Sequence, residues 1–194
     1  DFLAKNGKNV DTTKIFIGGS SAGGEMVWNM LSAYPEYFAG AFPIAGTGTV
    51  SAGDVQKCKD VAIWMISSIK DPVINYALIT KPLWNNVCEY NAHPENCRLS
   101  SFSNVTEPAG NSASDNHHMA KVVTYDMHML DGSTYPDVTH EDGNGNEISL
   151  VSPNGMIQWM NSVSSDFDGN GEMNVDDALY LLLHCSFPGD YPLA

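Results

Sequence analysis

Two short stretches carry side chains whose types and spacing could do chemistry. The first is Gly19-Ser20-Ser21-Ala22-Gly23, which fits G-x-S-x-G with Ser21 at its centre. A serine hydroxyl is a weak nucleophile by itself. Attack on an acyl carbonyl therefore needs a general base, and the base needs a carboxylate to fix its tautomer and stabilise the imidazolium. The second stretch, DFDGNGEMNVDD at 166–177, offers oxygens in the order of a calcium loop. Asp166, Asp168 and Asn170 stand at its first, third and fifth positions, and Gly171 supplies the sharp turn. Glu172 lends its carbonyl, Asn174 acts directly or through water, and Asp177 closes the shell where a Glu is usual. Hard oxygen ligands in this number suit Ca²⁺ better than a transition metal.

The elements around Ser21 are those an exposed nucleophile requires. KIFIGG is a short apolar run ended by glycines, and EMVWNMLSAYP follows with Met26, Val27, Met30, Leu31 and Tyr34 at helical spacing before Pro35. Strand, tight turn and helix are the expected order. Glycines two residues to either side of Ser21 let neighbouring backbone approach without a Cβ, which also separates Ser21 from Ser20 as the candidate. The helix start beneath offers the Ala22 N–H as an oxyanion donor. GAFPIAG and VAIWMISS are apolar nearly throughout, the pattern of strands covered on both faces of a parallel sheet. NYALITKPLWNNV reads as helix, CRLSSFSNV and AKVVTYDMHML as strand or mixed segments, 126–155 as an irregular hairpin-like excursion, and MIQWMNSV as a short helix. The class is α/β.

Where G-x-S-x-G stands on a strand-to-helix turn, the triad's chain order is Ser, then Asp or Glu, then His. Asp71 lies just past the end of VAIWMISS, with a surface turn before Pro72 as the alternative reading. All six histidines, His93, His117, His118, His128, His140 and His184, follow it. His93 precedes the strand RLSSFSN that should lead to the site, and His184 belongs to an acidic tail.

Composition sets outer limits. A net charge of −14 over 194 residues disfavours nucleic acid and anionic membrane surfaces as partners. No run of 18 apolar residues occurs, and the first residues show neither an initiator Met nor a charged-then-apolar leader. Of the four cysteines, Cys58, Cys88, Cys97 and Cys185, the middle two are close enough in sequence to close a small loop, though buried thiols would be equally ordinary. Asn104 fits a glycosylation acceptor. Six acidic and no basic residues fall between 163 and 194, so the expected domains are 1–162 and 163–194.

The segment IFIGGSSAGGEMVWNMLSAYPEYFAGAFPIAG resembles the nucleophile elbow of secreted α/β-hydrolase esterases, the group with polyhydroxybutyrate-depolymerase-like and feruloyl-esterase-like enzymes. The resemblance runs over roughly residues 10–160. It implies an α/β-hydrolase fold, a mostly parallel sheet flanked by helices, and a Ser-His-Asp triad needing no cofactor. DPVI resembles the family's acid loop and points to Asp71. The family's His is followed by a small residue two on and a Tyr seven on, which His118, Ala120 and Tyr125 match. Lys121 departs from the Trp usual three after it. The resemblance therefore favours His118, with His117 the near alternative and His140 the outsider. Only 14 residues precede IFIGG. The earlier strands of such a fold, and the loop giving a second oxyanion donor, are absent, so the chain reads as the C-terminal portion of a hydrolase.

The 163–194 segment, a calcium loop followed by a helix bearing Val175, Ala178, Leu179 and Leu182, resembles one repeat of a dockerin, a module that normally has two. A dockerin implies an extracellular enzyme, structural Ca²⁺ and a cohesin-bearing scaffold as partner. Together the resemblances imply a secreted carboxylesterase acting on feruloyl or acetyl substituents of plant cell-wall polysaccharide. Two other readings stand beside it: a peptidase of the same fold, and a non-catalytic scaffold-binding protein with a decayed hydrolase region.

Overall fold

The run that is apolar throughout in sequence forms the middle of a five-stranded sheet in the computed structural model, which describes residues 14–47, 50–103, 116–129, 135, 137–149 and 155–163. The strands are β1 (Phe16–Ser20), β2 (Gly40–Ile44), β3 (Ala62–Ser68), β4 (Arg98–Phe102) and β5 (Thr139–Asp142), and their order in the sheet is their order in the chain. The first four are parallel; β5 runs antiparallel to β4, pairing Ser100 with His140.

Helices α1 (Ala22–Ala33), α2 (Ala52–Lys57) and α3 (Lys81–Tyr90) make the three parallel crossovers. When right-handed crossovers connect strands that advance in one direction, their helices fall on one face of the sheet. Here that face holds Val27, Trp28 and Leu31 of α1, Val55 of α2, and Leu83, Trp84 and Val87 of α3, packed on Ala41, Ile63, Met65 and Leu99. The opposite face is covered by α4 (Asn116–Met129) and α5 (Gly155–Ser162), whose Met119, Ala120, Val123, Met127, Met156 and Trp159 meet Ile44, Trp64, Ile66 and Phe102. Side chains alternate across a strand, so β3 sends Ile63 and Met65 to the first layer and Trp64 and Ile66 to the second. This explains why no polar position interrupts it before Ser67.

Local chemistry sets the boundaries. Pro35 stops α1 after Tyr34, whose N–H still reaches Met30 O at 2.8 Å. Ser51 and Asp54 exchange hydrogen bonds in a capping box at the start of α2. A single π-helical turn, Tyr76–Thr80, leads into α3, so the expected helix over NYALITKPLWNNV begins irregularly.

The segment AKVVTYDMHML departs most from expectation: as far as Met129 it is not strand but the body of α4. Its buried residues, Met119, Ala120, Val123 and Met127, recur at helical spacing, and the β-branched pair Val122-Val123 is overridden by packing against Ile66 and Phe102. The excursion expected over 126–155 is a hairpin only in part. Its first residues complete α4, while β5 turns at Asp142–Asn146 and returns through a bridge between Glu141 and Glu147.

Cys58, Cys88 and Cys97 are free thiols, so the small loop that Cys88 and Cys97 could have closed is not formed. Burial pushes the Cys58 and Cys97 thiols up to about 12, which marks them as inert packing residues.

Candidate active site

Ser21 sits in the single residue between β1 and α1, at φ 56° and ψ −119°. A non-glycine residue pays about 1–3 kcal/mol for such a backbone. It is held there by Ser21 N–H donating to Ile44 O at 2.9 Å and by Glu25 N–H donating to Ser21 O at 3.0 Å. The neighbouring strand end is strained as well, with Ala45 at φ 44° and its N–H on Ile66 O at 2.8 Å.

The glycines do the work expected of them, but with one change of position. A Cβ on Gly19 would lie 2.4 Å from Gly23 O, whereas a Cβ on Gly23 would meet nothing within 4 Å. The second close approach is made by Gly24, whose Cβ would lie 2.9 Å from Gly46 Cα. Gly24 and Gly46 thus let α1 settle against the end of β2, where Trp28 Nε1–H donates to Gly46 O at 3.2 Å. Ala22 is the first residue of α1, so its N–H is among the first-turn donors that have no intrahelical acceptor.

Asp71 follows the carboxyl end of β3, and its two oxygens do different things. Oδ1 accepts from Val73 N–H at 2.7 Å and Ile74 N–H at 2.9 Å, which folds the DPVI turn around the carboxylate. Oδ2 receives His117 Nδ1 at 2.8 Å, and both side chains are buried. A carboxylate only accepts, so Nδ1 carries the imidazole proton and Nε2 is left as an acceptor. That Nε2 lies 2.9 Å from Ser21 Oγ. Ser21, His117 and Asp71 therefore form one hydrogen-bonded chain at the carboxyl edge of the sheet.

The ring in this chain is that of His117, not of His118. Both belong to the first turn of α4, and the helix sorts them. His117 shares the inward face with Ala120, Thr124 and Met127, while His118 shares the outward face with Lys121 and Tyr125. The match to Ala120 and Tyr125 that favoured His118 compared a loop spacing with residues that are in fact helical. His118 instead packs edge-on against His117, ring centroids 5.3 Å apart. Reading 116–129 as helix would have found the right ring, because only His117 continues the apolar stripe.

The other described histidines are engaged elsewhere. His93 Nδ1 lies 3.4 Å from Glu95 Oε1. His140 on β5 has Nδ1 2.7 Å from Ser100 Oγ, which itself accepts Trp64 Nε1–H at 2.7 Å. Burial pulls His140 down to about 4, so it is a neutral acceptor for the Ser100 hydroxyl proton. The calcium-loop residues Asp166, Asp168, Asn170, Glu172, Asn174 and Asp177 lie outside the described residues, as do Cys185 and Asn104. Among the described residues no group of three or more His, Cys, Asp or Glu side chains is placed to hold a metal.

No protein-family model matches the sequence. No curated protein matches it either. Among solved structures the chain is similar to a thermostable esterase, with a TM-score of 0.58 and 22% identity over 84% of this chain. The chain spans about a third, 34%, of that esterase's length. At this identity the likeness is one of fold: a mixed α/β architecture with a mostly parallel five-stranded sheet.

Proposed function

We propose that this protein is a serine carboxylesterase, and that the Ser21–His117–Asp71 chain of hydrogen bonds is its reacting centre. The observation that carries the reading is the position of one imidazole, 2.9 Å from a hydroxyl on a strained strand-to-helix turn and 2.8 Å from a buried carboxylate.

The chemistry follows from those positions. Ser21 Oγ attacks the ester carbonyl as His117 Nε2 takes its proton, and Asp71 stabilises the imidazolium that results. The Ala22 N–H, at the amino end of α1, is the donor for the oxygen on which negative charge develops. The C–O bond to the alcohol then breaks, His117 returns the proton to the departing oxygen, and water repeats the cycle on the acyl-enzyme.

The finer parts of the reading rest on sequence. The elbow's resemblance to feruloyl-esterase-like enzymes and the dockerin-like segment at 163–194 support feruloyl or acetyl substituents of plant cell-wall polysaccharide as substrates. The same segment supports an extracellular enzyme with a Ca²⁺ site at Asp166, Asp168, Asn170, Glu172, Asn174 and Asp177, and docking to a cohesin-bearing scaffold.

A serine-reactive phosphonate probe tests the central claim. It should label the protein at Ser21, and Ser21→Ala should remove both labelling and hydrolysis of a chromogenic acetate ester. Turnover that survives the substitution would overturn the assignment. Calorimetry with Ca²⁺ tests the tail: Asp166→Ala or Asp177→Ala should weaken a binding heat, and no heat in the unsubstituted protein would refute the loop.

A further inference from the structure

The sequence contains one arginine, and it lines a pocket. Arg98 opens β4 as the register partner of Trp64, so the two share a face of the sheet, while Leu99 packs into the opposite layer. On the shared face a cavity of about 300 Å³ is lined by Trp64 of β3, Arg98, Ser149, and Gln158, Trp159 and Ser162 of α5. It stands apart from the Ser21–His117–Asp71 chain. From Trp64, β3 runs on for four residues, roughly 13 Å, to Ser68 before the turn that carries Asp71.

Arg98 is half-buried, and its charge has no counter-ion in the fold. Nη1 donates to Cys97 O at 2.8 Å and to Glu95 O, two carbonyls that fix the guanidinium without neutralising it. Among the described residues no carboxylate lies within ion-pair distance of it. The two acids whose charge reaches it are engaged elsewhere. Asp142 accepts Asn144 N–H, Asn146 N–H and Asn146 Nδ2–H at 2.8–2.9 Å, and Glu95 Oε1 lies 3.4 Å from His93 Nδ1. Nε and Nη2 make no hydrogen bond to a described residue, and neither is sealed from solvent. These are the two donors that meet a carboxylate side-on in a bidentate pair. In a chain of net charge −14, a partly desolvated cation left in this state is a place for an anion.

The rest of the lining selects which anion. Both indole N–H groups are taken inside the fold, that of Trp64 by Ser100 Oγ at 2.7 Å and that of Trp159 by Asn96 O at 2.8 Å. The rings stand edge to face with centroids 5.3 Å apart, so they offer the pocket carbon and no donors. Ser149, Gln158 and Ser162 are exposed and add two hydroxyls and an amide. An inorganic anion would leave the indole carbon without contact, whereas a ring that carries a carboxylate uses both. The volume is at the small end for ligand pockets and suits one ring.

We infer that this pocket binds a single ring bearing a carboxylate, with the carboxylate on Arg98 and the ring against Trp64 and Trp159. Two sources share that chemistry, a uronic acid and an aromatic acid. The site is independent of the acyl-transfer reading and stands without it.

Calorimetry of the whole protein with sodium glucuronate and sodium benzoate tests the site, with glucose and benzyl alcohol as uncharged counterparts. At least one acid should bind with a Kd below about 5 mM, and at least about tenfold more tightly than its counterpart. Binding of glucuronate alone identifies a sugar acid as the source, and of benzoate alone an aromatic acid. Arg98→Gln removes the charge but keeps an amide donor, and should weaken that acid at least about tenfold. Gln158→Glu sets a negative charge at an exposed helix position where folding has little at stake, and should weaken it at least about threefold. His117→Ala should leave the Kd unchanged. Binding of neither acid, or equal affinity for acid and counterpart, overturns the inference. So does a Kd that either pocket substitution leaves unmoved, or one that His117→Ala abolishes, which would put the acid at Ser21 instead.

Discussion

His117 Nε2 lies 2.9 Å from Ser21 Oγ across a sequence separation of 96 residues. The adjacent ring of His118 packs edge-on against His117 from the outward face of α4. Substituting the two histidines in turn separates a base from its neighbour. His117→Ala should lower kcat for a chromogenic acetate by about 10⁴-fold or more, whereas His118→Ala should cost no more than about tenfold. The reverse ranking would place the base on the outward face of α4.

Asp71 serves both the imidazole and its own turn, so two substitutions should give different outcomes. Asp71→Asn keeps an oxygen for the Val73 and Ile74 N–H groups while losing the charge that orients His117. Its kcat should fall about 10⁴-fold with little change in Tm. Asp71→Ala also leaves those two N–H groups without their acceptor, and should lower stability by a further ~1–2 kcal/mol in denaturant titration. Equal stability of the two variants would show that the carboxylate does not hold the turn.

The glycines of the elbow make a sharp contrast. Gly24→Ala puts a Cβ 2.9 Å from Gly46 Cα and 3.1 Å from two carbonyl oxygens, all backbone, so α1 must lift from β2. A cost of about 1–3 kcal/mol in folding, with loss of activity, is the expected result. Gly23→Ala enters open space near the start of a helix and should be neutral or stabilising by up to ~1 kcal/mol. Thermal melts of the two variants decide the point.

His140 links stability to pH. Its folded value is pulled by burial from 6.5 to about 4, so between these limits the unfolded chain binds the extra proton and the folded protein does not. The stabilisation is therefore complete above about pH 6.5 and is lost as pH falls toward 4. Asn at this position can accept the Ser100 hydroxyl proton without charging, so His140→Asn should flatten the fall of Tm across that window. Asp54 acts lower on the scale: the Ser51 and Ser32 hydroxyls and Lys57 hold its carboxyl well below the usual carboxylate range, so its contribution fades only below about 3.8. A Tm that falls identically in protein and variant from pH 6.5 to 4 would remove His140 from the account.

How far residues alone could lead is clearest from the two ends of the hydrogen-bond chain. Ser21 and Asp71 were legible because each lies at the end of an apolar strand, where local pattern and position coincide. The imidazole was not, because its identity depends on whether 116–129 is helix or strand, and one residue of register moves a side chain from the inward to the outward face. Val122, Val123 and Thr124 argue locally for strand; burial of Met119, Ala120, Val123 and Met127 against the sheet decides for helix. The four parallel strands were readable for the converse reason, since β2 and β3 are covered on both faces and carry almost no polar interruption. The Gly24–Gly46 approach had no signature of its own, because it joins two segments that meet only once the sheet has formed.

The crossover pattern has a consequence for how this protein must lose function. The serine, the carboxylate and the imidazole arrive from the ends of β1 and β3 and the start of α4, so no contiguous segment contains the site. On the proposed reading hydrolysis is a reporter of the cooperative unit, and its disappearance in denaturant should coincide with the change in tryptophan emission from Trp28, Trp64 and Trp84, all fully buried between the layers.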